Sequence, residues 1–278
     1  MIDLHAHTNE SDGTFSPVEL IDAASHTGVT VLGITDHDTF AGYDQALPHA
    51  REQGIELICG IELSTKFGGQ SVHLLAYYLD GCPTESRIWI DEMQASRDER
   101  NVRLIECLRK GGIAITLEEV RAKGRRMAGR PHFAQVLVEK GYVATIQEAF
   151  DKYLDKSAPY HVDRDEPQLV SCIERVRDQR GITSLAHPCR LKGDLNGILP
   201  ELCRHGLNAI EVYHSDHTAM QTEQFFQLAE RYGLGITGGS DFHGAVKPDI
   251  KLGSGRLGNL KIPSDLLVSL RDSVHGHK

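Results

Sequence analysis

Apolar positions along the first eighty residues come in short β-branched runs with polar ends, each followed by a stretch of helical spacing. "IDLH" at 2–5 is the first run. "SPVELIDAASHTG" at 16–28 predicts a helix: Ser16 suits the N-cap, Pro17 the first turn and Gly28 the stop. "VTVLGITDH" at 29–37 predicts a second strand, "YDQALPHAREQG" a second helix and "IELICGIEL" at 55–63 a third strand. "SVHLLAYYL" at 71–79 predicts a fourth strand, reached through a Gly-Gly turn that allows a hairpin with the third.

The rhythm then changes. Residues 85–112 carry apolar positions at helical spacing and many charges opposite them. "TLEEVRAKG", "RPHFAQVLVEKG" and "TIQEAFDKYL" predict three shorter helices, and no strand is needed between about residues 97 and 160. Strands return at 181–188, 207–214 and 234–243, each preceded by a helix, at 167–179, 198–204 and 219–231. Strand–helix alternation implies parallel pairing and an α/β class. Seven polar-ended strands fit a barrel better than an open sheet. The predicted organisation is a first barrel part (1–96), a helical insertion capping the active site (97–160) and a second barrel part (161–278). No GxGxxG follows the first strand, which argues against a dinucleotide fold.

The polar residues gather at predicted strand ends. His5 and His7 end the first strand and His37 the second; Glu62 is near the end of the third. His187 closes the strand after the insertion, and Asp241 and His243 close the last. Catalytic groups of parallel barrels collect on the rim formed by such ends. His73 begins its run, and an antiparallel hairpin would bring it to that rim. With Asp12, six imidazoles and three carboxylates converge. This mixture suits Zn²⁺, Mn²⁺ or Fe²⁺. Nine ligands exceed the needs of one ion; two or three ions are expected. The i, i+2 spacing of His5/His7 and of Asp241/His243 puts each pair on one side of its strand. His26, His49, His205, His275 and His277 are read as solvent-facing, while His161, His214 and His217 stay open.

The chain has 278 residues, 40 % hydrophobic and 25 % charged, enough for a sizeable core, and a net charge of −9. That charge argues against duplex nucleic acid, whose binding draws on Lys and Arg, but allows a small anionic substrate. No apolar stretch approaches the roughly 20 residues of a membrane span, and no signal-peptide pattern opens the chain. The six cysteines show no CxxC pair, so reduced thiols in a cytoplasmic protein are expected.

"DLHAHTNESDGT", "GITDHDT", "GIELS", "VHLLAY", "LAHP" and "GGSDFH", in that order, resemble the successive motifs of the PHP (polymerase and histidinol phosphatase) family of metal hydrolases. The resemblance implies a distorted (β/α)7 TIM-like barrel holding two or three divalent ions, manganese first, with iron or zinc as alternatives. It implies one ion held by His5, His7, Glu62 and Asp241, and a second by Glu62, His73 and His187. A third would lie with Asp12, His37 and His243; some members carry His where this chain has Asp12. Asp12, His37, Asp241 and His243 are the candidate catalytic residues.

Clustered divalent ions lower the pKa of a bound water and clamp phosphoryl oxygens, so a metal-bound hydroxide is the expected nucleophile. Positive side chains must then hold the substrate. In "SRDERNVR" and "GRRMAGRPHF", Arg100, Asn101, Arg130 and His132 are the candidate substrate contacts; Arg97, Arg125 and Arg126 are read as a solvated face. Arg190, beside the rim, is a further candidate. "SRDERN" and "GRPHFA" together resemble the PHP branch acting on nucleoside 3′,5′-bisphosphates and on RNA from its 5′ end. The implied reaction removes the 3′-phosphate and leaves a nucleoside 5′-monophosphate. Alternatives are 5′-to-3′ cleavage of short 5′-phosphorylated RNA, a histidinol-phosphate-type phosphatase, and a metal-loaded but inactive interaction module. The expected partner is a nucleotide or short RNA, with no duplex DNA, no membrane and no obligatory protein.

Overall fold

The computed structural model describes residues 1–124, 128–163, 166–267 and 270–271. The predicted solvated positions Arg125 and Arg126, and the tail histidines His275 and His277, lie outside the described residues.

Seven strands form one sheet in chain order: β1 (Ile2–Ala6), β2 (Val31–Ile34), β3 (Glu56–Phe67), β4 (Gln70–Tyr78), β5 (Ile182–Leu185), β6 (Ala209–His214) and β7 (Gly235–Gly239). Neighbours pair in parallel except β4, which is antiparallel to both β3 and β5. The Gly68-Gly69 turn, both residues at positive φ, makes this reversal. The two sheet edges meet beyond the strand ends. Asp241 donates its N–H to the His5 carbonyl (2.8 Å) and His7 donates to the Phe242 carbonyl (2.9 Å). A Cβ at Gly239 would collide with the His5 backbone, so a glycine is needed where β7 crosses β1. The result is a nearly closed TIM-like barrel.

Helices α1 (Pro17–Thr27) and α2 (Ala41–Glu52) connect the first strands. At α1, Ser16 and Glu19 form a reciprocal capping box and Gly28 closes the helix in the left-handed region, as the sequence predicts. Helices α7 (Leu169–Asp178), α8 (Leu195–His205) and α9 (Ala219–Tyr232) serve the last three strands.

Between β4 and β5 lie α3 (Thr84–Lys110), α4 (Leu117–Gly124), α5 (Arg130–Glu139) and α6 (Ile146–Ala149), the last continued by a π-helical turn at Phe150–Leu154. These helices bury their own apolar cluster, including Leu104, Leu108, Ile115, Phe133, Leu137 and Leu154. A second, larger core packs the α7–α9 side of the barrel. Helix α3 is continuous through residue 97, so one rod reaches from the barrel into the helical layer.

Three strands end earlier than the hydrophobic pattern predicts. β2 stops at Ile34 and not at His37, β5 at Leu185 and not at Pro188, and β7 at Gly239 and not at His243. The polar residues predicted as strand ends sit on the turns beyond. His187 (φ 27°) and Asp241 (φ 56°) occupy left-handed backbone there, which no strand accommodates.

Candidate metal centre

β1 carries His5, His7 follows its last residue, and Glu62 on β3 meets both. Glu62 Oε2 lies 3.3 Å from His5 Nε2, 3.1 Å from His7 Nε2 and 3.4 Å from His37 Nδ1. Its other oxygen, Oε1, lies 2.7 Å from His73 Nδ1 and 2.8 Å from His187 Nε2. Reversal of β4 puts His73 beside Ser64 on β3, two residues past Glu62. One buried carboxylate therefore faces five imidazoles.

Asp241 Oδ1 lies 3.6 Å from His5 Nε2, 3.5 Å from His7 Nε2 and 3.4 Å from His243 Nδ1. Asp12 Oδ1 is 3.2 Å from His243 Nε2 and 3.5 Å from His7 Nδ1, and Oδ2 is 3.7 Å from His37 Nε2. All nine ligand candidates thus meet in one cluster. Asp12 rides on a loop held by Asp36, which accepts from the Thr8 N–H and hydroxyl and from Ser11 Oγ. Burial pushes the Asp36 carboxyl up to about 6, against the pull of those hydrogen bonds.

The donor set fits a cation. His5 Nδ1 is 2.8 Å from Glu211 Oε1, and against burial Glu211, Glu62 and Asp241 hold the imidazole well above its ordinary range; with a cation in place the proton would sit on Nδ1 and Nε2 would be the ligand atom. His5 Nε2 lies 3.2 Å from His7 Nε2. Burial pushes the His7 imidazole down to about 3, helped by the neighbouring His243, and holds it neutral. His37 Nδ1 is buried and makes no hydrogen bond. Converging imidazole nitrogens and carboxylate oxygens are what divalent ions require.

Glu211 and His214 are functional candidates that the motif reading did not select. Glu211, fully buried on β6, accepts from His5 and from the His187 backbone N–H (2.6 Å). His214 Nε2 lies 3.3 Å from Asp241 Oδ2. Burial would raise the Glu211 carboxyl, but His5 and His214 beside it hold it at about 2. The signal for Glu211 was available: a carboxylate in the middle of the apolar run "AIEVYH" needs a buried partner. His217, also left open, is buried against Phe225, while His161 is half-buried beside Asp163.

A cleft of about 210 Å³ runs from this cluster under the helical layer; Asp12, His37 and His73 line one side and Arg100, Arg130 and His132 the other. Asn101 is not on its wall: the side chain is fully buried and donates to the Ala128 carbonyl (2.8 Å), which ties α3 to the start of α5. Arg190 is bound to Asp216 (2.6 Å) and Asp241 (3.2 Å), and with His187 it lines a neighbouring cleft of about 130 Å³. Lys247 also donates to Asp241, at 2.7 Å.

Three solvent assignments are corrected, among them His205, which is half-buried and lies 2.8 Å from Glu174 because α7 and α8 pack side by side. Arg97 is buried, not solvated: it pairs with Asp38 and donates to Ser64 Oγ (3.2 Å), because the turn after β2 folds beneath α3. His49 is half-buried and lies 2.6 Å from Asp22 of α1, because α1 and α2 pack side by side.

Residues 3–232 match the family model of the PHP domain, and the chain belongs to that family. It is a metal-dependent phosphoesterase. The chain is 32 % identical over 244 residues to a 5′-3′ exoribonuclease of Haemophilus influenzae, covering 87 % of this chain and 89 % of that one. It is 30 % identical over 247 residues to a 3′,5′-nucleoside bisphosphate phosphatase of Chromobacterium violaceum, covering 87 % of each. A third relative, 30 % identical over 87 % of this chain and 94 % of its own, is a phosphoribosyl 1,2-cyclic phosphate 1,2-diphosphodiesterase of Eggerthella lenta. Among solved structures, a protein of Bifidobacterium adolescentis described as a metal-dependent phosphoesterase superposes with a TM-score of 0.84 at 32 % identity, covering 98 % of this chain and 95 % of that one.

Proposed function

We propose that this chain removes the 3′-phosphate from nucleoside 3′,5′-bisphosphates in the cytoplasm, releasing phosphate and the nucleoside 5′-monophosphate. The observation that carries this reading is one cleft that joins the imidazole–carboxylate cluster, which would take a phosphate once metal-loaded, to the Arg100–Arg130–His132 wall. A substrate with two phosphates on one ribose matches two such features; a monophosphate leaves one unused.

Residues 97–160 act as the cap. Glu62 would hold one ion with His5, His7 and Asp241 and a second with His73 and His187; Asp12, His37 and His243 would hold a third. Such ions, manganese first, supply Lewis acidity that lowers the pKa of a bound water and neutralises phosphoryl oxygens. The chain's own groups do the rest. Arg100 and Arg130 hold the 5′-phosphate by planar, charge-assisted hydrogen bonds. Arg190 and Lys247 are poised beside Asp241 to meet the 3′-phosphate. Glu211 keeps the His5 proton on Nδ1 and fixes the direction of Nε2.

A second reading is stepwise hydrolysis of short 5′-phosphorylated RNA. It is favoured by a smaller cavity of about 30 Å³ that continues past Arg100 and Arg130 to Lys66 and Lys156. Phosphate release across a panel of nucleotides with manganese, run beside a 5′-phosphorylated oligoribonucleotide, separates the two. The bisphosphate reading requires 3′,5′-bisphosphates to be the best substrates; preferential shortening of the oligonucleotide overturns it.

A further inference from the structure

We infer, on the reading of Asp241 as a metal ligand, that His214 is its positioning residue: the imidazole N–H holds one carboxylate oxygen so that the other stays turned to the ions. His214 is the last residue of β6, and its side chain is fully buried. Two bonds decide what the ring can do. Asp216 donates its backbone N–H to His214 Nδ1 at 3.0 Å. That nitrogen therefore carries the lone pair, and the ring proton is on Nε2. Nε2 lies 3.3 Å from Asp241 Oδ2 and donates to it. His5, Glu211 and His214 bring ligand-type atoms within 4.8 Å of one another, the spacing of a further metal site. A nitrogen that carries a proton does not ligate a metal, so His214 serves Asp241 and not an ion.

The surroundings fix the ring. His217 packs beside it with 5.1 Å between ring centroids, and His187 meets it edge-on at 5.5 Å. The turn that His214 begins is tied to the turn of Asp241, because Ser215 Oγ donates to the Ser240 carbonyl at 2.5 Å. Donor and acceptor are thus held by packing and by backbone, independently of the bond between them.

The two oxygens of Asp241 are treated differently. Oδ1 faces the imidazoles of His5, His7 and His243. Oδ2 accepts from Lys247 at 2.7 Å, from Arg190 at 3.2 Å and from His214. A carboxylate with one oxygen so occupied offers an ion only the other. The three donors are not equivalent either. The Arg190 and Lys247 side chains are 42 % and 27 % exposed, and they are the groups placed to meet the 3′-phosphate. When a phosphate draws them off Oδ2, the buried His214 is the donor that stays. Its role is to keep Oδ1 on the ions while the two cations serve the substrate.

The test is a calorimetric manganese titration of the metal-free protein and three variants. His214→Leu removes the donor, His214→Gln keeps a terminal amide N–H, and Asp241→Asn alters the ligand itself. Loss of an outer partner lowers metal affinity about 10- to 100-fold. His214→Leu should weaken binding by that factor with the number of ions unchanged, and His214→Gln should recover most of it. Loss of an ion from the stoichiometry in both His214 variants, or equal weakening in both, would overturn the proposal. Wild-type affinity in His214→Leu beside a weakened Asp241→Asn removes the role of His214 alone. Wild-type affinity in Asp241→Asn removes Asp241 as a ligand, and the role of His214 with it. Circular dichroism establishes that each variant folds. Nitrogen NMR of the histidines in the zinc-loaded wild type decides without any variant: His214 should carry its proton on Nε2 and none on Nδ1. A metal-bound Nε2, or a proton on Nδ1, would overturn the assignment.

Discussion

His5 is readable as a ligand from its HxH spacing, but the residue that makes it one is Glu211, 206 positions away. Motif spacing registers the first and is blind to the second, because a partner brought in by β6 leaves no local pattern. Removing such a partner typically lowers metal affinity 10- to 100-fold. Glu211→Gln should therefore weaken manganese binding by about that factor in a metal titration, with native circular dichroism. Unchanged affinity would mean that Glu211 does not orient His5. Arg130 offers the matching test for substrate. A charge-assisted contact contributes roughly 1.5–3 kcal/mol, so Arg130→Ala should lower kcat/KM for 3′,5′-bisphosphates about 10- to 150-fold. Simple phosphate monoesters should be much less affected. Equal loss on both would remove Arg130 from recognition of the second phosphate.

At the scale of elements, α3 was legible as a long helix, and its continuity through residue 97 follows from uninterrupted helical spacing. The burial of Arg97 was not legible. Helical periodicity gives the face on which a residue lies, not what later covers that face. Here Asp38, in a left-handed turn after β2, rises to meet it and also accepts the Ser64 N–H at 2.8 Å. The clamp fixes α3 over the turn that carries His37, and Arg100, one turn further along, lines the same cleft as His37. Loss of one member of a buried pair destabilises by about 3–5 kcal/mol. Arg97→Met should reduce unfolding free energy by that amount in urea titration. A change below about 1 kcal/mol, the median worth of an exposed pair, would return Arg97 to the solvated face.

For the whole molecule, strand–helix alternation was enough to predict the barrel, and the Gly-Gly turn the one reversed strand. The ends of β2, β5 and β7 were misjudged because "GITDH", "LAHP" and "GGSDFH" continue in strand-like composition after the backbone has left the sheet. That departure is functional: His37, His187 and Asp241 reach the centre from turns. The same architecture gathers buried lone pairs and carboxylates from β1, β3, β4 and β6 and from the turns after β2, β5 and β7, so bound ions should hold the barrel together. A ligand that binds only the folded state stabilises it by about 2.7 kcal/mol at a hundredfold excess over its dissociation constant. Chelation should lower the melting temperature, and manganese should restore it; a melting temperature indifferent to both would refute a structural role for the ions.

The most direct test of the proposed reaction is to identify the product formed from adenosine 3′,5′-bisphosphate by the manganese-loaded chain. The account predicts one equivalent of phosphate and adenosine 5′-monophosphate, with turnover lost but the fold kept in Asp241→Asn. Adenosine 3′-monophosphate as the product, or no phosphate at all, would contradict it.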